Sequence, residues 1–133
     1  MRVCIIGAGA IGGFIGTRLA AAQRAEVSAI ARGATLAALR EHGWRVKSGD
    51  TLLHAKARAT EDARELGVQD VIIVAVKGPA LGAVAQGIAP LLGPHTLVVP
   101  AMNGVPWWFC EGVGGIDTAP LRSVDPGGAV ARA

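Results

Sequence analysis

The stretch that decides the fold is Val3-Cys4-Ile5-Ile6-Gly7-Ala8-Gly9-Ala10-Ile11-Gly12. The apolar run Val3–Ile6 ends at a glycine and predicts a buried strand, and from Ala10 to Ala22 the apolar residues take helical spacing. A G-x-G-x-x-G string between a strand and a helix is typical of a dinucleotide-binding turn. There the first glycine makes the bend, the second leaves room for a pyrophosphate, and the third lets the helix approach the strand. The candidate cofactor-binding residues of the turn are Gly7, Ala8, Gly9, Ala10, Ile11 and Gly12.

Outward from this turn, predicted strands and helices alternate along the chain. The strongest strand is the continuous apolar run Val71–Val76, in which every residue but Ala75 is β-branched, as expected at the centre of a parallel sheet. The other predicted elements are the strand Val27–Ala31, the helix Thr35–Glu41, a hairpin of Trp44–Val46 and Leu52–Ala57, a helical turn Glu61–Leu66, the helix Leu81–Leu92, the strand Leu97–Val99 and an extended piece Leu121–Val124. We therefore predict one Rossmann-type α/β domain over residues 1–133, an open, mostly parallel sheet with helices on both faces.

Composition argues against several classes of protein. The net charge is only +3 and no run of Lys or Arg is present, so a nucleic-acid partner is not expected. No stretch of about 18 apolar residues is uninterrupted, so no membrane span is expected. We interpret Cys4 and Cys110 as reduced thiols of a cytoplasmic protein. No metal site is expected either, because His42, His54 and His95 lack metal-ligand spacing.

The end of the second predicted strand bears on the choice between NAD and NADP. NAD-specific domains carry an Asp or Glu there, about 20 residues beyond the glycines, to bind the ribose hydroxyls. This sequence has Ala31-Arg32-Gly33 at that place, and its nearest acid, Glu26, lies at the other end of the strand. Arg32 is placed to bind a 2′-phosphate, with an ordinary solvated arginine as the alternative. The sequence therefore favours NADP(H) as the cofactor.

Two further polar residues follow predicted strands. Lys77 comes directly after Val71–Val76, and Asn103 follows the next predicted strand along the chain. Ligands of open α/β sheets bind outside the carboxyl ends of the strands, so both residues are candidates for cofactor binding. The alternatives are a surface lysine and a plain Asn-Gly turn. The aromatic run Trp107–Phe109 could line a substrate pocket, but we expect it to pack against another domain.

Five motifs of the sequence occur in the order of one enzyme family. They are Gly7–Gly13, Ala31–Gly33, Val74–Lys77, Asn103–Trp108 and Ser123–Gly128. Together they resemble the 2-dehydropantoate 2-reductase (ketopantoate reductase) family over nearly the whole chain. The glycine string is shared by many families, whereas the Asn-Gly-Val-Pro-Trp-Trp string is much more specific. The resemblance implies NADPH-dependent reduction of a small 2-keto acid, 2-dehydropantoate, to pantoate in pantothenate and coenzyme A biosynthesis.

The resemblance also implies roles for single residues. Arg32 and Lys77 would lie at the cofactor, with Arg32 near the 2′-phosphate, and Asn103 would lie between the nicotinamide and the substrate. The family's catalytic lysine and an acidic substrate-binding residue belong to a C-terminal helical domain and have no counterpart among residues 1–133. We therefore expect these residues alone to be inactive, and to form a homo-oligomer through apolar surface that such a domain would cover. Met102 stands where Gln is frequent in the family.

Two other functions stay open at this point. One is a stand-alone regulatory module that senses a dinucleotide, for which the chain length is suitable. Such modules usually carry an acid at the end of the second strand, and they do not call for the string that begins at Asn103. The other is a relative of the reductase that acts on a different 2-keto acid, because nothing in these residues selects the substrate.

Overall fold

The computed structural model describes residues 1–113 and 121–133. The strands are β1 Arg2–Ile6, β2 Glu26–Ile30, β3 Trp44–Ser48, β4 Thr51–Ala55, β5 Arg58–Thr60, β6 Val71–Val74 and β7 Leu97–Pro100. The α-helices are α1 Ala10–Ala21, α2 Gly33–His42, α3 Leu81–Gly87 and α4 Ala129–Arg132. Short 3₁₀ helices span Ala63–Glu65, Gly78–Ala80, Ala89–Leu91 and Pro126–Gly128.

Five strands form one parallel sheet in the order β5-β2-β1-β6-β7. Ile6 at the end of β1 pairs with Ile30 of β2 and with Val74 of β6, so the three central strands end level with one another. The chain moves from β1 to β2 in one direction and later to β6 on the opposite side. This reversal confirms the predicted Rossmann-type fold, in which ligands bind outside the carboxyl ends of the strands where the order reverses.

The core lies on both faces of the sheet. One buried cluster joins the sheet to α1, α2 and the start of β3, and comprises Val3, Ile5, Val27, Ala29, Ala31, Leu36, Leu39 and Trp44. The other joins it to α3 and the neighbouring 3₁₀ helices, and comprises Cys4, Ile6, Leu66, Ile72, Val74, Leu81, Ile88 and Leu91. Successive residues of β1 alternate between the two clusters. From Val3 to Ile6 they are all apolar, because both faces of the strand are covered there, whereas Arg2 at its start is exposed.

The antiparallel hairpin of β3 and β4 packs on α1 rather than joining the main sheet. Its anchor is Trp44, which is fully buried. A Cβ atom at Gly16 of α1 would collide with the six-membered ring of Trp44, so this glycine is what lets the indole lie against the helix. The Trp44 Nε1 has no hydrogen-bond partner among the described residues, so apolar packing holds the ring in place.

We expect Gly16→Ala to lower the free energy of unfolding by about 1–3 kcal/mol, because the buried indole has no room to move away from an added methyl group. The matched control is Gly82→Ala in α3, where an added Cβ would have nothing within 4 Å. Alanine is the better helix former there, and the control should gain about 0.5–1 kcal/mol. Urea denaturation of both variants measures the difference. Equal stability of the two would contradict the close contact between Gly16 and Trp44.

Both β6 and α3 end before their predicted boundaries. β6 ends at Val74 rather than Val76, because the next two residues turn to contact the loop after β1. The helix predicted over Leu81–Leu92 ends at Gly87 and gives way to a 3₁₀ turn. Gly87 is a weak helix former, and Pro90 has no N–H to donate to the preceding turn.

The predicted extended piece Leu121–Val124 is also wrong. These residues form a turn, in which the Val124 and Asp125 N–H groups both donate to the Leu121 carbonyl at 2.8 Å. The chain then enters the 3₁₀ helix and α4. The buried carboxylate of Asp125 accepts hydrogen bonds from the Val130 and Ala131 N–H groups at 2.9 and 3.0 Å. Asp125 therefore caps α4 and fixes this turn to it.

Apolar side chains are exposed along the β7 edge of the sheet. Leu97 is 59% exposed, and Val98 and Val99 are 38% and 37% exposed. Nearby in sequence, Trp108 and Phe109 are also exposed, whereas Trp107 packs against the second core cluster instead of pointing away from the domain. No helix within the described ranges is long and apolar enough to cross a membrane.

Candidate functional site

The turn after β1 depends on Gly7. Its φ of +89° is a left-handed backbone conformation that favours glycine. A Cβ there would lie 2.6 Å from Val76 Cγ1 and 2.9 Å from the Ala75 carbonyl oxygen. The Gly7 N–H donates to the Ile30 carbonyl at 3.0 Å, which ties the turn to the end of β2. Gly7 therefore holds together the loops at the ends of three strands.

Gly12 controls how closely α1 approaches the sheet. A Cβ at this position would collide with the Gly7 carbonyl oxygen and would lie 3.0 Å from Ile5 Cγ2 and 3.1 Å from Ala75 Cβ. The helix can therefore start directly above the turn only because residue 12 has no side chain. Both Gly7 and Gly12 serve the folding of the turn itself.

Gly9 has a different environment. It is the exposed N-cap of α1, and a Cβ added to it would meet nothing within 4 Å. No side chain caps the helix and its first turn carries no acidic residue, so its first N–H groups, including those of Ala10 and Ile11, lack intrahelical partners. Unpaired N–H groups and the helix dipole attract phosphate. The open space at Gly9 and this donor set fit the pyrophosphate of a dinucleotide.

A cleft of about 640 Å³ opens beside this turn. It lies outside the carboxyl ends of β1 and β2, with α3 on one side and the segment after β5 on the other. Its lining includes Gly7, Ala31 and Arg32, the apolar or small residues Ala80, Ala83, Val84 and Gly87, and the polar residues Glu61, Asp62, Arg64 and Gln86. Of the predicted site residues outside the glycine turn, Arg32 is the one that lines this cleft.

Arg32 is the exposed N-cap of α2, and its guanidinium has no hydrogen-bond partner among the described residues. The first turn of α2 contains no acidic residue, so the unpaired N–H groups there are not neutralised by a neighbouring carboxylate. The end of β2 thus presents a cation and a helix N-terminus to the cleft. This is the place where NAD-specific domains carry a carboxylate.

The wall formed by the segment after β5 carries two carboxylates and a second cation. Arg64 Nε lies 2.9 and 3.1 Å from the two oxygens of Asp62, and Arg64 Nη2 lies 2.8 Å from Oδ2. These hydrogen bonds hold the pKa of the Asp62 carboxyl below its usual range. Glu61 is exposed beside the pair. Sequence analysis missed all three residues because β5 was not predicted. The signal that could have found them is their place at the carboxyl end of a strand.

Lys77 and Asn103 lie at the same edge of the sheet but on the other side of β1 from Arg32. Lys77 is the exposed N-cap of the 3₁₀ helix Gly78–Ala80 after β6. Asn103 is exposed after β7, and the strand end before it is fixed by the Ala101 N–H, which donates to the Val74 carbonyl at 2.8 Å. Neither lines the large cleft. The candidate residues therefore form a row along the carboxyl edge, from Arg32 through the glycine turn to Lys77 and Asn103.

Neither a metal-binding cluster nor a reactive cysteine adds to this row of candidate residues within the described part of the chain. Within residues 1–113 and 121–133 no cluster of three or more His, Cys, Asp or Glu side chains could hold a metal ion. Both cysteines are free. Burial raises the pKa of the Cys4 thiol to about 11, so Cys4 stays protonated and packs as an apolar residue.

Comparison with known proteins was made at the level of sequence and of fold. The profile of the ketopantoate reductase PanE/ApbA family matches residues 3–106, a range that includes the glycine turn, Arg32, Lys77 and Asn103. A 2-dehydropantoate 2-reductase from Mesorhizobium japonicum is 47% identical over 131 residues, which are 98% of this chain and 40% of that protein.

Solved structures show the same relationship. A protein described as a ketopantoate reductase, from Ralstonia solanacearum MolK2, superposes with a TM-score of 0.92 at 54% identity, over 98% of this chain and 40% of that one. A ternary structure of D-mandelate dehydrogenase with NADH and anilino(oxo)acetate gives a TM-score of 0.69 at 30% identity, over 80% of this chain and 35% of that one. The chain thus spans about 40% of the length of the first two relatives.

Proposed function

The chain belongs to the ketopantoate reductase PanE/ApbA family, and from this membership we propose that it is the NADPH-binding part of an oxidoreductase that reduces 2-dehydropantoate to pantoate. A nicotinamide dinucleotide is the cofactor that the family implies. The choice of NADP, the 2-keto acid substrate and the place in pantothenate biosynthesis belong to the proposal. The two free thiols fit the reducing cytoplasm, where we place the reaction.

The observation that carries the proposal is the combination of an open glycine turn with a cation at the end of β2. The pyrophosphate would bind at Gly9, against the unpaired N–H groups of α1. The adenosine half would then enter the cleft, where Arg32 faces the position of the ribose. A guanidinium can bind a 2′-phosphate through two parallel hydrogen bonds. The nicotinamide half would extend the other way along the carboxyl edge, past Lys77 toward Asn103.

The polar groups on the nicotinamide side orient ligands. A bound nicotinamide supplies the hydride for reduction. Asn103, with one amide donor group and one acceptor, is suited to hold a neutral polar group of cofactor or substrate in place. Lys77 offers a positive charge beside the pyrophosphate position and the ribose attached to it. Both side chains are exposed, so ligands can reach them.

A second candidate function is reduction of a different 2-keto acid. The similarity to D-mandelate dehydrogenase favours it, because that enzyme's ternary complex holds NADH and anilino(oxo)acetate, a different 2-oxo compound. Met102, where Gln is frequent in the family, lies next to Asn103 and packs against the second core cluster. A dinucleotide-sensing module has no comparable support.

The cofactor proposal is tested at Arg32. We expect the wild-type protein to bind NADPH more tightly than NADH by about 1–3 kcal/mol, the contribution of a charge-assisted contact to the 2′-phosphate. Arg32→Ala should remove most of that preference and leave NADH affinity nearly unchanged. Isothermal titration calorimetry with both cofactors measures this. Arg24→Ala, an exposed arginine before the amino end of β2, is the control and should keep the preference.

Equal affinities of the wild-type protein for NADPH and NADH would overturn the assignment of NADP. If the Arg32→Ala variant kept the preference for NADPH, another cation would bind the 2′-phosphate.

Substrate choice is tested separately. Reduction rates for a panel of 2-keto acids, measured with the full reading frame of the gene, should be highest for 2-dehydropantoate, and a higher rate with an aryl 2-keto acid would favour the second candidate.

A further inference from the structure

The cleft contains a planar cation that the proposed function does not use. Arg64 lies in the 3₁₀ helix after β5, and its side chain is 80% exposed. The position of the Arg64 side chain is nevertheless defined, because the Asp62 carboxylate accepts three hydrogen bonds of 2.8 to 3.1 Å from the Nε and Nη2 atoms of Arg64. The Arg64 N–H also donates to Asp62 Oδ1 at 3.0 Å, which fixes the carboxylate to the backbone. One edge of the guanidinium is therefore held by a carboxylate that is itself fixed to the backbone.

The charge of this pair suits a flat ligand better than a phosphate. Asp62 uses both of its oxygens on Arg64, so the pair carries little net charge. Glu61, an exposed carboxylate next to it, makes this wall still less attractive to an anion. What the pair offers is the flat face of the guanidinium, which stacks well on aromatic rings. Arg32, by contrast, forms no ion pair with a carboxylate within residues 1–113 and 121–133.

The α3 side of the cleft is lined mainly by small apolar residues. There α3 and the residue before it present Ala80, Ala83 and Gly87, residues with little or no side chain, together with Val84. Small apolar residues leave room for a flat ring, and the amide of Gln86, which also lines the cleft, can hydrogen-bond to the polar edge of such a ring. The α3 side of the cleft is thus mostly apolar, and the planar cation held by Asp62 lies in the other part of the lining.

We propose that Arg64, positioned by Asp62, stacks on the adenine ring of the bound dinucleotide and holds it against α3. This inference rests on the proposed function, since it requires the adenosine half to enter the cleft. It gives the two arginines separate roles. Arg32 binds the 2′-phosphate and discriminates between the cofactors, whereas Arg64 binds a base that NADPH and NADH share.

The test compares both cofactors on variants of the pair. Arg64→Ala should weaken NADPH and NADH binding equally, each about tenfold, the size of a desolvated cation–π contact. Arg64→Lys should lose nearly as much affinity for both cofactors, because lysine keeps the positive charge but lacks the planar guanidinium. Asp62→Asn, which releases the guanidinium, should cause a smaller loss that is again equal for both cofactors. Arg24→Ala is the control and should bind as the wild type does.

Three results have distinct meanings. Unchanged affinities in Arg64→Ala would overturn the stacking proposal. A loss confined to NADPH would also overturn it, since Arg64 would then be a second phosphate ligand. A wild-type protein that binds neither dinucleotide would overturn the proposed function and the stacking with it. Circular dichroism of each variant shows whether the short segment after β5 remains folded.

Discussion

We expect Gly9→Val to fold as the wild type does and to lose dinucleotide binding by on the order of a hundredfold or more. The backbone of Gly9 is extended, with φ of −73° and ψ of −154°, and its negative φ does not require glycine. The protein itself leaves the space around its Cβ empty. The new side chain would therefore clash with the ligand alone. Calorimetric titration with NADPH, beside circular dichroism and a thermal melt, measures both effects.

Position 9 is the informative one because the other two glycines cannot separate binding from folding. Side chains at Gly7 or Gly12 would collide with the loop after β6 or with the turn itself, so such variants would lose the fold along with the site. The matched control is Gly82→Val, which places the same side chain in open space away from the cleft and should bind normally. Tight NADPH binding by a folded Gly9→Val protein would place the pyrophosphate elsewhere.

The elements of the fold that could be predicted from the sequence are those with the strongest local patterns. β6 is a β-branched run, and the glycine turn lies between a buried strand and a helix, so both were predicted near their observed positions. β5 was missed because three residues, one of them a charged arginine, form an edge strand without an apolar run. The end of α3 was missed because the spacing of apolar residues continues past Gly87 although the helix does not.

For the candidate site, sequence reasoning reached residues that follow strongly patterned strands. Arg32 and Lys77 could be named as candidates because β2 and β6 were predicted first. The pair of Asp62 and Arg64 follows the strand that was missed, and its geometry depends on hydrogen bonds between side chains, which have no periodic signal. The close contact of Gly16 with Trp44 was hidden for a similar reason, because it joins α1 to a hairpin distant in sequence. Local patterns thus predict elements, whereas contacts between elements need coordinates.

Residues 1–133 expressed on their own are expected to bind NADPH but to reduce 2-dehydropantoate at a negligible rate. Reduction of a keto group builds negative charge on its oxygen, which needs a proton donor or a strong hydrogen-bond donor. A positioned acid typically contributes ~10²–10⁴-fold to the rate, and preorganised electrostatic stabilisation contributes a further ~10²–10³-fold. Asn103 can donate a hydrogen bond but no proton, and the resemblance to the family assigns the proton to a lysine of a helical domain.

Within the described residues, Lys77 is the candidate on the proposed nicotinamide side that could act as the acid instead. Measured turnover tests whether these residues contain the acid. NADPH oxidation is followed with 2-dehydropantoate, and light scattering gives the mass of the same sample. The exposed Leu97, Val98 and Val99 on the β7 edge should make it self-associate, so a mass above that of one chain is expected. Turnover near about 1 s⁻¹, the low end for ordinary enzymes, would contradict the prediction and show that the catalytic acid lies within these residues, with Lys77 as the first candidate. In that case Lys77→Met should abolish the activity while leaving NADPH binding measurable.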